Sequence, residues 1–467
     1  MMKPALLMKR VLPFAVGIGI WAVPVPAGLT AAAWHLFAVF VAAILAVLVD
    51  AYPLLTSTML AAAAVVLTGT VSAAKAFAGF ANPSVLLVVI AFLVAQAVVK
   101  SGLGRRISLF MVSRFGSSAL GLAYSIVLTD AAIAPAFPSN TARGGVLFPI
   151  VLSVAQGSNS RPDDPRGRRL GGYLMFCGMA GLAVSSALWM TATSANPIGI
   201  QVASEYGIQI GFGKWLIASA VPALTSILAL PLLVRRLFPP QVDKTPDAPV
   251  AARKALAELG PLSRDEWITA IAFVLMVSGW IFADRFGLNV TSIAFGGLGL
   301  LLMTQVLTAA DIATQGDTLA TFLWLAVLFA LSMQLNELGF MGYAGQRLAS
   351  YMSGMSWPLT YVSLVVIYVL IHYMFVSQTS QVLALLGVFL GVGINGHVPP
   401  ALMAFALLFA SSYFSVITPQ GGSQNIIFVG SGYLTQRELY RLGLLTTLTF
   451  LAVFLVIGTG WILLVTR

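Results

Sequence analysis

The sequence predicts an all-α polytopic membrane protein. Of its 467 residues, 59% are hydrophobic and only 9% are charged, and the mean hydropathy is +0.95. A soluble domain carries roughly 25% charged residues. Only the stretches 157–169 and 238–264 are long and polar enough to form substantial loops. We therefore predict one membrane unit without a separate soluble domain.

Apolar runs of near-spanning length follow one another along the whole chain. They are 11–27, 31–49, 54–71, 83–99, 170–192, 212–237, 267–282, 289–307, 318–335, 400–417 and 439–465. Because about 20 apolar residues cross a bilayer as a helix, these runs predict about eleven transmembrane helices. Two amphipathic segments, 101–114 and 339–353, each precede a helical hairpin, 120–155 and 359–394. The two arms of each hairpin are predicted to enter the membrane and return on the same side.

The basic residues predict the orientation of the chain. This threading places only Lys75, Lys214, Arg285, Arg347 and Arg467 outside, and every other Lys and Arg except Arg143 inside. That asymmetry satisfies the positive-inside rule and predicts an integral protein of a bacterial inner membrane, with a cytoplasmic N-terminus and an external C-terminus. The net charge of +10 does not indicate nucleic-acid binding, because the basic residues punctuate apolar runs.

A polar patch at 138–145 interrupts the first hairpin and contains Ser139, Asn140, Thr141 and Arg143. Non-helical backbone at membrane depth occurs only where it is buried in protein or lines a watery cavity. A guanidinium at the bilayer centre costs at least about 2.5–3.5 kcal/mol and is usually retained for function. The patch therefore indicates a binding site. Arg143 would either pair with a bound carboxylate or act as a fixed charge behind the tip.

Two plainer alternatives exist for this patch. Arg143 would snorkel to the inner interface, and the Ser-Asn-Thr turn would only cap a helix. The second half of the chain argues against both, because it repeats the same order of parts. The tip serine follows a glycine by 37 residues in the first half (Gly102 to Ser139) and by 38 in the second (Gly339 to Ser377). Because both halves carry a polar tip at nearly the same distance from a glycine, a functional role for the two tips is favoured over the plainer alternatives.

Each hairpin is followed by an apolar run that breaks at a polar stretch, 193–197 in the first half and 418–422 in the second. We predict a first repeat at 1–238, whose hairpin enters from the cytoplasm with its tip at 138–145. A cytoplasmic linker at 239–264 follows. The second repeat, 265–467, carries a hairpin that enters from outside with its tip at 377–381. Inverted repeats with broken helices are the architecture of secondary transporters.

The four interruptions supply helix N-termini, which favour anions because they present unpaired amides and a positive partial charge. Carboxylate or phosphate is therefore the expected cargo. The candidate binding residues are Ser139, Asn140, Thr141, Arg143, Thr193, Ser194, Asn196, Ser377, Gln378, Thr379, Thr418, Pro419, Gln420 and Gly421. Asp130 would carry a proton or pair with Arg143. His372 would be a second buried cation or a hydrogen-bonded packing residue. No catalytic or metal-ligating residue is predicted.

The Ser139-Asn140-Thr141 tip, Phe148-Pro149-Ile150, Ser377-Gln378-Thr379 and the Thr418-Pro419 break resemble the divalent anion/sodium symporter family. The most similar branch contains plastid 2-oxoglutarate/malate translocators and bacterial citrate or tartrate/succinate antiporters. The resemblance implies a homodimer with scaffold and transport domains, an elevator-like movement, and cargo held by the two tips and the two breaks. Carried over to this chain, the implied carboxylate contacts are Asn140, Thr141, Thr193, Thr379, Thr418 and Pro419.

This sequence departs from the family pattern at three positions. Gln378 stands where sodium-coupled relatives have asparagine, and Arg143 follows the first tip closely. A fixed cation there would repel sodium and substitute for it, as the resemblance to the exchanger branch implies. Gln381 stands where exchangers of this branch often have a histidine.

The sequence therefore predicts an exchanger of small dicarboxylates such as malate, succinate or 2-oxoglutarate, or of tricarboxylates. No cofactor is predicted, and sodium is the less favoured possibility. The nearest alternative is a sodium-coupled dicarboxylate symporter. A membrane subunit of an ion-pumping complex or an intramembrane enzyme belongs to another class. Intramembrane acids and histidines are too few for a proton relay, and we find neither a His-Glu-x-x-His pattern nor a glycine-rich phosphate loop.

Overall fold

A computed structural model describes residues 4–164, 167–352, 354–375 and 377–466. Over these ranges the protein is helical and contains no β-strand. The prediction of an all-α protein is confirmed. Three basic residues used in the charge argument, Lys3, Arg166 and Arg467, lie outside the described residues.

The helices of the described ranges alternate with short connections. In the first half they are α1 (Pro4–Ala22), α2 (Ala31–Leu48), α3 (Leu54–Leu67), α4 (Ala73–Ala76), α5 (Pro83–Ser101), α6 (Leu103–Phe115), α7 (Ala119–Ile133), α8 (Asn140–Gly157), α9 (Arg168–Leu188), α10 (Ala195–Glu205), α11 (Phe212–Leu237) and α12 (Asp247–Leu259). In the second half they are α13 (Arg264–Ile281), α14 (Ala283–Phe286), α15 (Val290–Met303), α16 (Ala309–Ala313), α17 (Gly316–Glu337), α18 (Phe340–Ser350), α19 (Trp357–His372), α20 (Gln378–Asn395), α21 (Pro400–Tyr413), α22 (Ser423–Val429), α23 (Gln436–Val453) and α24 (Thr459–Val465).

Eight of the described helical segments are long and apolar enough to cross a membrane, and four shorter apolar helices accompany them. Three of these twelve segments are hairpin arms, and the count is roughly consistent with about eleven crossings and two hairpins. Side-chain caps explain where several helices begin. Thr30, Ser118 and Ser263 each accept a hydrogen bond from the backbone N–H three residues further on, at the starts of α2, α7 and α13. Such a cap satisfies one of the unpaired N–H groups of the first helical turn.

Two predictions about local structure were wrong. Residues 140–145 are not irregular but form the first turns of α8, because the Ser139 side chain caps the helix there. The predicted linker 239–264 contains a helix, α12, which packs on α6. Its end is held by Arg106 of α6, whose Nη1 donates to the Gly260 carbonyl at 2.9 Å. Four prolines near the start of this stretch, Pro239, Pro240, Pro246 and Pro249, concealed the helix in the sequence.

The described residues form two compact units. The first unit comprises Met1–Val89, Pro197–Gln209 and Gln315–Leu408. In it, α2 packs against α1 and α3, and α3 packs against α17. The arms of the second hairpin, α19 and α20, pack against each other, and α18 also packs against α20.

The second unit comprises Ile90–Asn196, Ile210–Thr314 and Phe409–Arg467. Its centre is α9, in which every residue from Leu170 to Leu188 is buried. The first hairpin (α7 and α8), together with α11 and α22, surrounds this helix. The first tip, the second break and residues 193–196 of the first break therefore belong to one compact unit.

Candidate functional site

The two hairpin tips have the same local geometry. At the first tip, Ser139 has an extended backbone and its hydroxyl accepts a hydrogen bond from the Ala142 N–H at 3.3 Å. At the second tip, Ser377 is extended and accepts from the Ser380 N–H, also at 3.3 Å. Both tip serines thus cap a helix, as the plainer alternative states. The residues that follow them lie in the first turns of α8 and α20.

The amphipathic helices before the hairpins also begin alike. Gly102 precedes α6 with φ of 81°, and Gly339 precedes α18 with φ of 86°. Side chains other than glycine rarely adopt this left-handed backbone conformation. Matched glycines and matched caps are structural evidence that the two halves share one local plan.

The first tip is attached to the first break within the second unit. The break runs from Trp189 to Ser194, between α9 and α10. The Ser194 N–H donates to the Pro138 carbonyl at 3.0 Å, and the Thr191 hydroxyl donates to the Pro135 carbonyl at 2.9 Å. Thr193 is buried at this junction. These two bonds attach residues 191–194 of the first break to residues 135–138, which directly precede the tip residues Ser139 and Asn140.

Arg143 is fully buried and is enclosed by oxygen acceptors. Its Nη1 donates to the Asp130 carboxylate at 3.0 Å and to the Ser185 hydroxyl at 2.7 Å. Its Nη2 donates to the Asn140 side-chain oxygen at 2.6 Å. The remaining acceptors of Nη2 are the Leu182 carbonyl, the Ser186 hydroxyl and the Ala192 carbonyl. We call this arrangement the arginine clasp.

The arginine clasp shows which groups Arg143 contacts inside the protein. The side chain does not snorkel, since its exposed fraction is 0%. Its partner is Asp130, one of the two roles predicted for that residue. The guanidinium lies behind the tip and forms an ion pair with Asp130, which balances its charge. It joins the tip residue Asn140 to the Ala192 carbonyl of the first break.

The second break lies between α21 and α22 and includes one 3₁₀ turn, Pro419–Gly421. Gly421 is buried, Thr418 and Pro419 are half-buried, and Gln420 is exposed. The helix after the break, α22, packs on α8 and α9. The second break and the first tip are thus neighbours in the second unit.

Two asparagines hold the two breaks in the same way. The Asn196 side-chain amide donates to the carbonyls of Ser186 and Trp189 at 2.8 and 3.1 Å. The Asn425 amide donates to the carbonyls of Ser415 and Thr418 at 2.7 and 2.8 Å. The acceptors lie ten and seven residues before each asparagine.

These contacts revise the alignment of the two breaks. From the sequence alone, residues 193–197 of the first half were matched with residues 418–422 of the second. The hydrogen bonds show instead that Asn196 and Asn425 occupy equivalent positions in the two breaks. Sequence reasoning therefore missed Asn425 and its neighbour Gln424. The signal that would have found them is the Ser-x-Asn pattern at 194–196, which recurs at 423–425.

The second tip lies in the first unit with Ser377, Gln378 and Thr379. Behind it, His372 Nδ1 lies 2.6 Å from the Gln381 side-chain oxygen, and both residues are fully buried. The Gln381 amide donates to the Tyr368 carbonyl at 3.1 Å. Because the amide nitrogen faces that carbonyl, the amide oxygen accepts from His372. His372 is therefore hydrogen-bonded between the arms of the second hairpin.

Metal-binding clusters were sought among the side chains in the part of the chain that the structure describes. No group of three or more His, Cys, Asp or Glu residues lies together there. Cys177 is buried in α9 as a free thiol. Polar groups at the tips and breaks are thus hydroxyls, amides and backbone groups, with one buried ion pair.

The sequence profile of the family described as "Sodium:sulfate symporter transmembrane region" matches residues 4–466. The chain belongs to this family. The resemblance inferred from the tips and breaks is confirmed. As a member of this family, the protein is an integral membrane transporter.

Relatives within the sodium:sulfate symporter family cover nearly the whole chain. One relative is YflS of Bacillus subtilis (strain 168), a protein named as a malate transporter on provisional grounds. It is 38% identical over 97% of this chain and 96% of its own length. The citrate/succinate antiporter of Escherichia coli (strain K12) is 31% identical over 96% of both chains.

A solved structure confirms the type of fold. The YdaH transporter of Alcanivorax borkumensis, described as having an unusual topology, superposes with a TM-score of 0.58 over 98% of this chain and 96% of that chain. The two sequences are only 19% identical. This similarity extends to the fold alone.

Proposed function

We propose that this transporter exchanges one small dicarboxylate, such as malate, succinate or 2-oxoglutarate, or a tricarboxylate, for another across the bacterial inner membrane. The names of two relatives support the substrate class, since one refers to malate and the other to citrate and succinate. The antiporter among them supports exchange. The observation on which the proposal chiefly rests is the arginine clasp between the first tip and the first break.

In this proposal the carboxylates bind at the helix starts of the tips and breaks. The N-termini of α8, α10 and α20 supply amides and positive partial charge, which favour anions. The proposed substrate-binding residues are those predicted from the sequence, Ser139, Asn140, Thr141, Thr193, Ser194, Asn196, Ser377, Gln378, Thr379, Thr418, Pro419, Gln420 and Gly421. Arg143 acts behind this surface as a positioning residue, because both of its Nη atoms already donate to protein groups.

The arginine clasp favours exchange over sodium symport for a chemical reason. Hard cations are bound by oxygen ligands such as side-chain amide oxygens and backbone carbonyls. At the first tip, the Asn140 side-chain oxygen and the carbonyls of Leu182 and Ala192 accept from Arg143. The guanidinium of Arg143, a cation that is part of the chain, therefore occupies oxygen atoms that would otherwise be available to bind a sodium ion. In this proposal the guanidinium takes the structural place of a coupling ion.

The assembly and the movement of the transporter are part of the same proposal. The family resemblance implies a homodimer in which a transport domain moves past a scaffold domain. We propose this elevator-type alternating access, with a cytoplasmic N-terminus and an external C-terminus. The charge distribution of the loops supports that orientation.

Proteoliposomes preloaded with unlabelled malate or succinate test the exchange. We expect labelled dicarboxylate to enter only when the lumen contains a dicarboxylate, at a rate that does not change with an imposed sodium gradient. Empty liposomes of the same preparation are the control. Uptake that needs an inward sodium gradient and proceeds without internal dicarboxylate would contradict exchange and establish the symporter alternative.

A further inference from the structure

The second break contains several buried polar atoms without a hydrogen-bond partner among the described residues. They are the Thr418 hydroxyl, both polar atoms of the Gln424 carboxamide, and the Asn425 side-chain oxygen. Buried polar groups in native proteins are nearly always paired, because leaving them unpaired costs free energy. Such a cluster at one break therefore indicates a group that binds there.

Gln424 stands out within this cluster. It is fully buried, yet neither its Nε2 nor its Oε1 has a partner in the described part of the chain. Asn425, beside it, uses its own amide nitrogen to hold the break, so that only its oxygen is unpaired. Gln424 thus offers both a donor and an acceptor, and Asn425 offers a further acceptor.

Two glycines place the Gln424 carboxamide between the second break and the first tip. A Cβ atom added at Gly422 would lie 2.7 Å from Oε1 and 2.8 Å from Nε2 of Gln424. A Cβ atom added at Gly144 of α8 would lie 3.4 Å from the Gln424 Cβ. The carboxamide thus lies against Gly422 of the second break, and the Cβ atom of Gln424 lies against Gly144 of α8. The carboxamide therefore faces the break residues that are proposed to hold the substrate.

The chemistry of the unpaired atoms restricts the ligand. An ionised dicarboxylate has only acceptor oxygens, so it pairs with Nε2 but leaves Oε1 of Gln424 and Oδ1 of Asn425 unpaired. A hydroxyl group supplies the missing donor. We propose that Gln424 is a specificity-determining residue that binds the hydroxyl of a 2-hydroxy di- or tricarboxylate, such as malate or citrate. Nε2 donates to a substrate oxygen, while Oε1 accepts from the hydroxyl.

This inference rests on the proposed function and adds the preferred substrate class to it. A site built to hydrogen-bond a substrate hydroxyl discriminates strongly against the analogue that lacks it, because its buried groups then remain unpaired. We expect the wild-type protein to prefer malate over succinate by about 10-fold in kcat/KM, the factor that corresponds to the net contribution of one hydrogen bond.

The test compares malate and succinate exchange by Gln424→Met in proteoliposomes. Methionine keeps the length of the side chain and removes both polar atoms. Succinate loses only the Nε2 contact, whereas malate loses the contacts to both Nε2 and Oε1. We therefore expect kcat/KM for malate to fall about 10-fold further than kcat/KM for succinate, so that the preference disappears. Thr446→Val is the matched control, since Thr446 lies on α23 of the same unit and also has a buried, unpartnered hydroxyl. It should leave the malate preference intact.

Each outcome decides the question. Equal losses for both substrates, or an unchanged preference, would overturn the role of Gln424. If Gln424→Met does not fold, the thermal unfolding temperature of the wild-type protein is measured with each substrate instead. Malate should raise this temperature more than succinate does at equal concentration. Equal increases would count against the hydroxyl contact. A wild-type protein that exchanges no di- or tricarboxylate would overturn the proposed function itself, which is a separate result.

Discussion

The buried pair of Arg143 and Asp130 gives the sharpest prediction for single residues. Removing one partner of a buried ion pair leaves an uncompensated charge in a low-dielectric site and costs about 3–5 kcal/mol. Both side chains here are 0% exposed. We therefore expect Arg143→Ala to lower the stability of the transporter by that amount and to abolish exchange. Thermal unfolding in nanodiscs and exchange in proteoliposomes measure the two effects.

The double variant Arg143→Met with Asp130→Leu is the matched control, because it removes both charges together. Well-packed apolar replacements of a buried ion pair are often close to neutral for stability. The double variant should fold nearly as well as the wild type and still fail to exchange, since Asn140 and the Ala192 carbonyl lose their common donor. Full exchange by the double variant would remove the arginine clasp from the mechanism.

Residue-level sequence reasoning succeeded where chemistry alone restricts the partner. A guanidinium at membrane depth needs an acid, and Asp130 is a nearby acid on the other arm of the hairpin. The same reasoning did not find Ser185 and Ser186, which complete the arginine clasp from α9. A serine in an apolar helix does not indicate a binding partner in the sequence, because its partner lies on a neighbouring helix.

At the scale of secondary-structure elements, the two breaks depend on their asparagines. Each side-chain amide donates to two carbonyls of its break. The carbonyls of Trp189 and Thr418 also accept from the N–H groups of Ala192 and Gly421, so the loss of the asparagine affects chiefly the carbonyls of Ser186 and Ser415. An unpaired buried polar group costs about 1–3 kcal/mol. We expect Asn196→Ala and Asn425→Ala to lower stability by similar amounts and to reduce exchange strongly. Unfolding temperature and exchange rate, measured for both variants in parallel, test this symmetry.

Asn289→Ala is the control asparagine, because Asn289 caps α15 away from the breaks. Losing an N-cap costs about 1 kcal/mol. That variant should therefore lose some stability but keep its exchange rate. An exchange defect equal to that of Asn196→Ala would mean that general destabilisation, and not the shape of the break, limits transport.

A connecting helix provides a pH-dependent prediction. Hydrogen bonds from Lys100 and from Thr308 hold the pKa of Asp311, at the start of α16, at about 2. The contact to Lys100 is 2.7 Å. Because the folded pKa lies below the unfolded value of about 3.9, the stabilisation is present at neutral pH and is lost as the pH falls towards 2.

The matching variant is Asp311→Asn, which removes the titrating group. We expect it to unfold at a lower temperature than the wild type at pH 7, and the difference to shrink as the pH is lowered from 6 to 3. Unfolding scans across this range measure it. A difference that is constant with pH would show that the carboxylate charge contributes nothing.

At the scale of the whole molecule, the orientation can be tested with introduced cysteines. The native Cys177 is fully buried, so a membrane-impermeant maleimide should not react with the wild-type protein. Asp284 and Asp163 are both exposed, and the proposed topology places them outside and inside, respectively. In intact cells, Asp284→Cys should be labelled directly and Asp163→Cys only after permeabilisation. The opposite pattern would reverse the orientation.

The helical membrane fold, the approximate spans and the two hairpins can be predicted from the sequence, because run length and polarity are local properties of the chain. It also revealed matched tips at nearly equal spacing. Only the tertiary structure decided which groups surround Arg143, which residues of the breaks correspond, and that Gln424 lies beside Gly144. These contacts join side chains far apart in sequence, and the packing of helices around α9 brings them together.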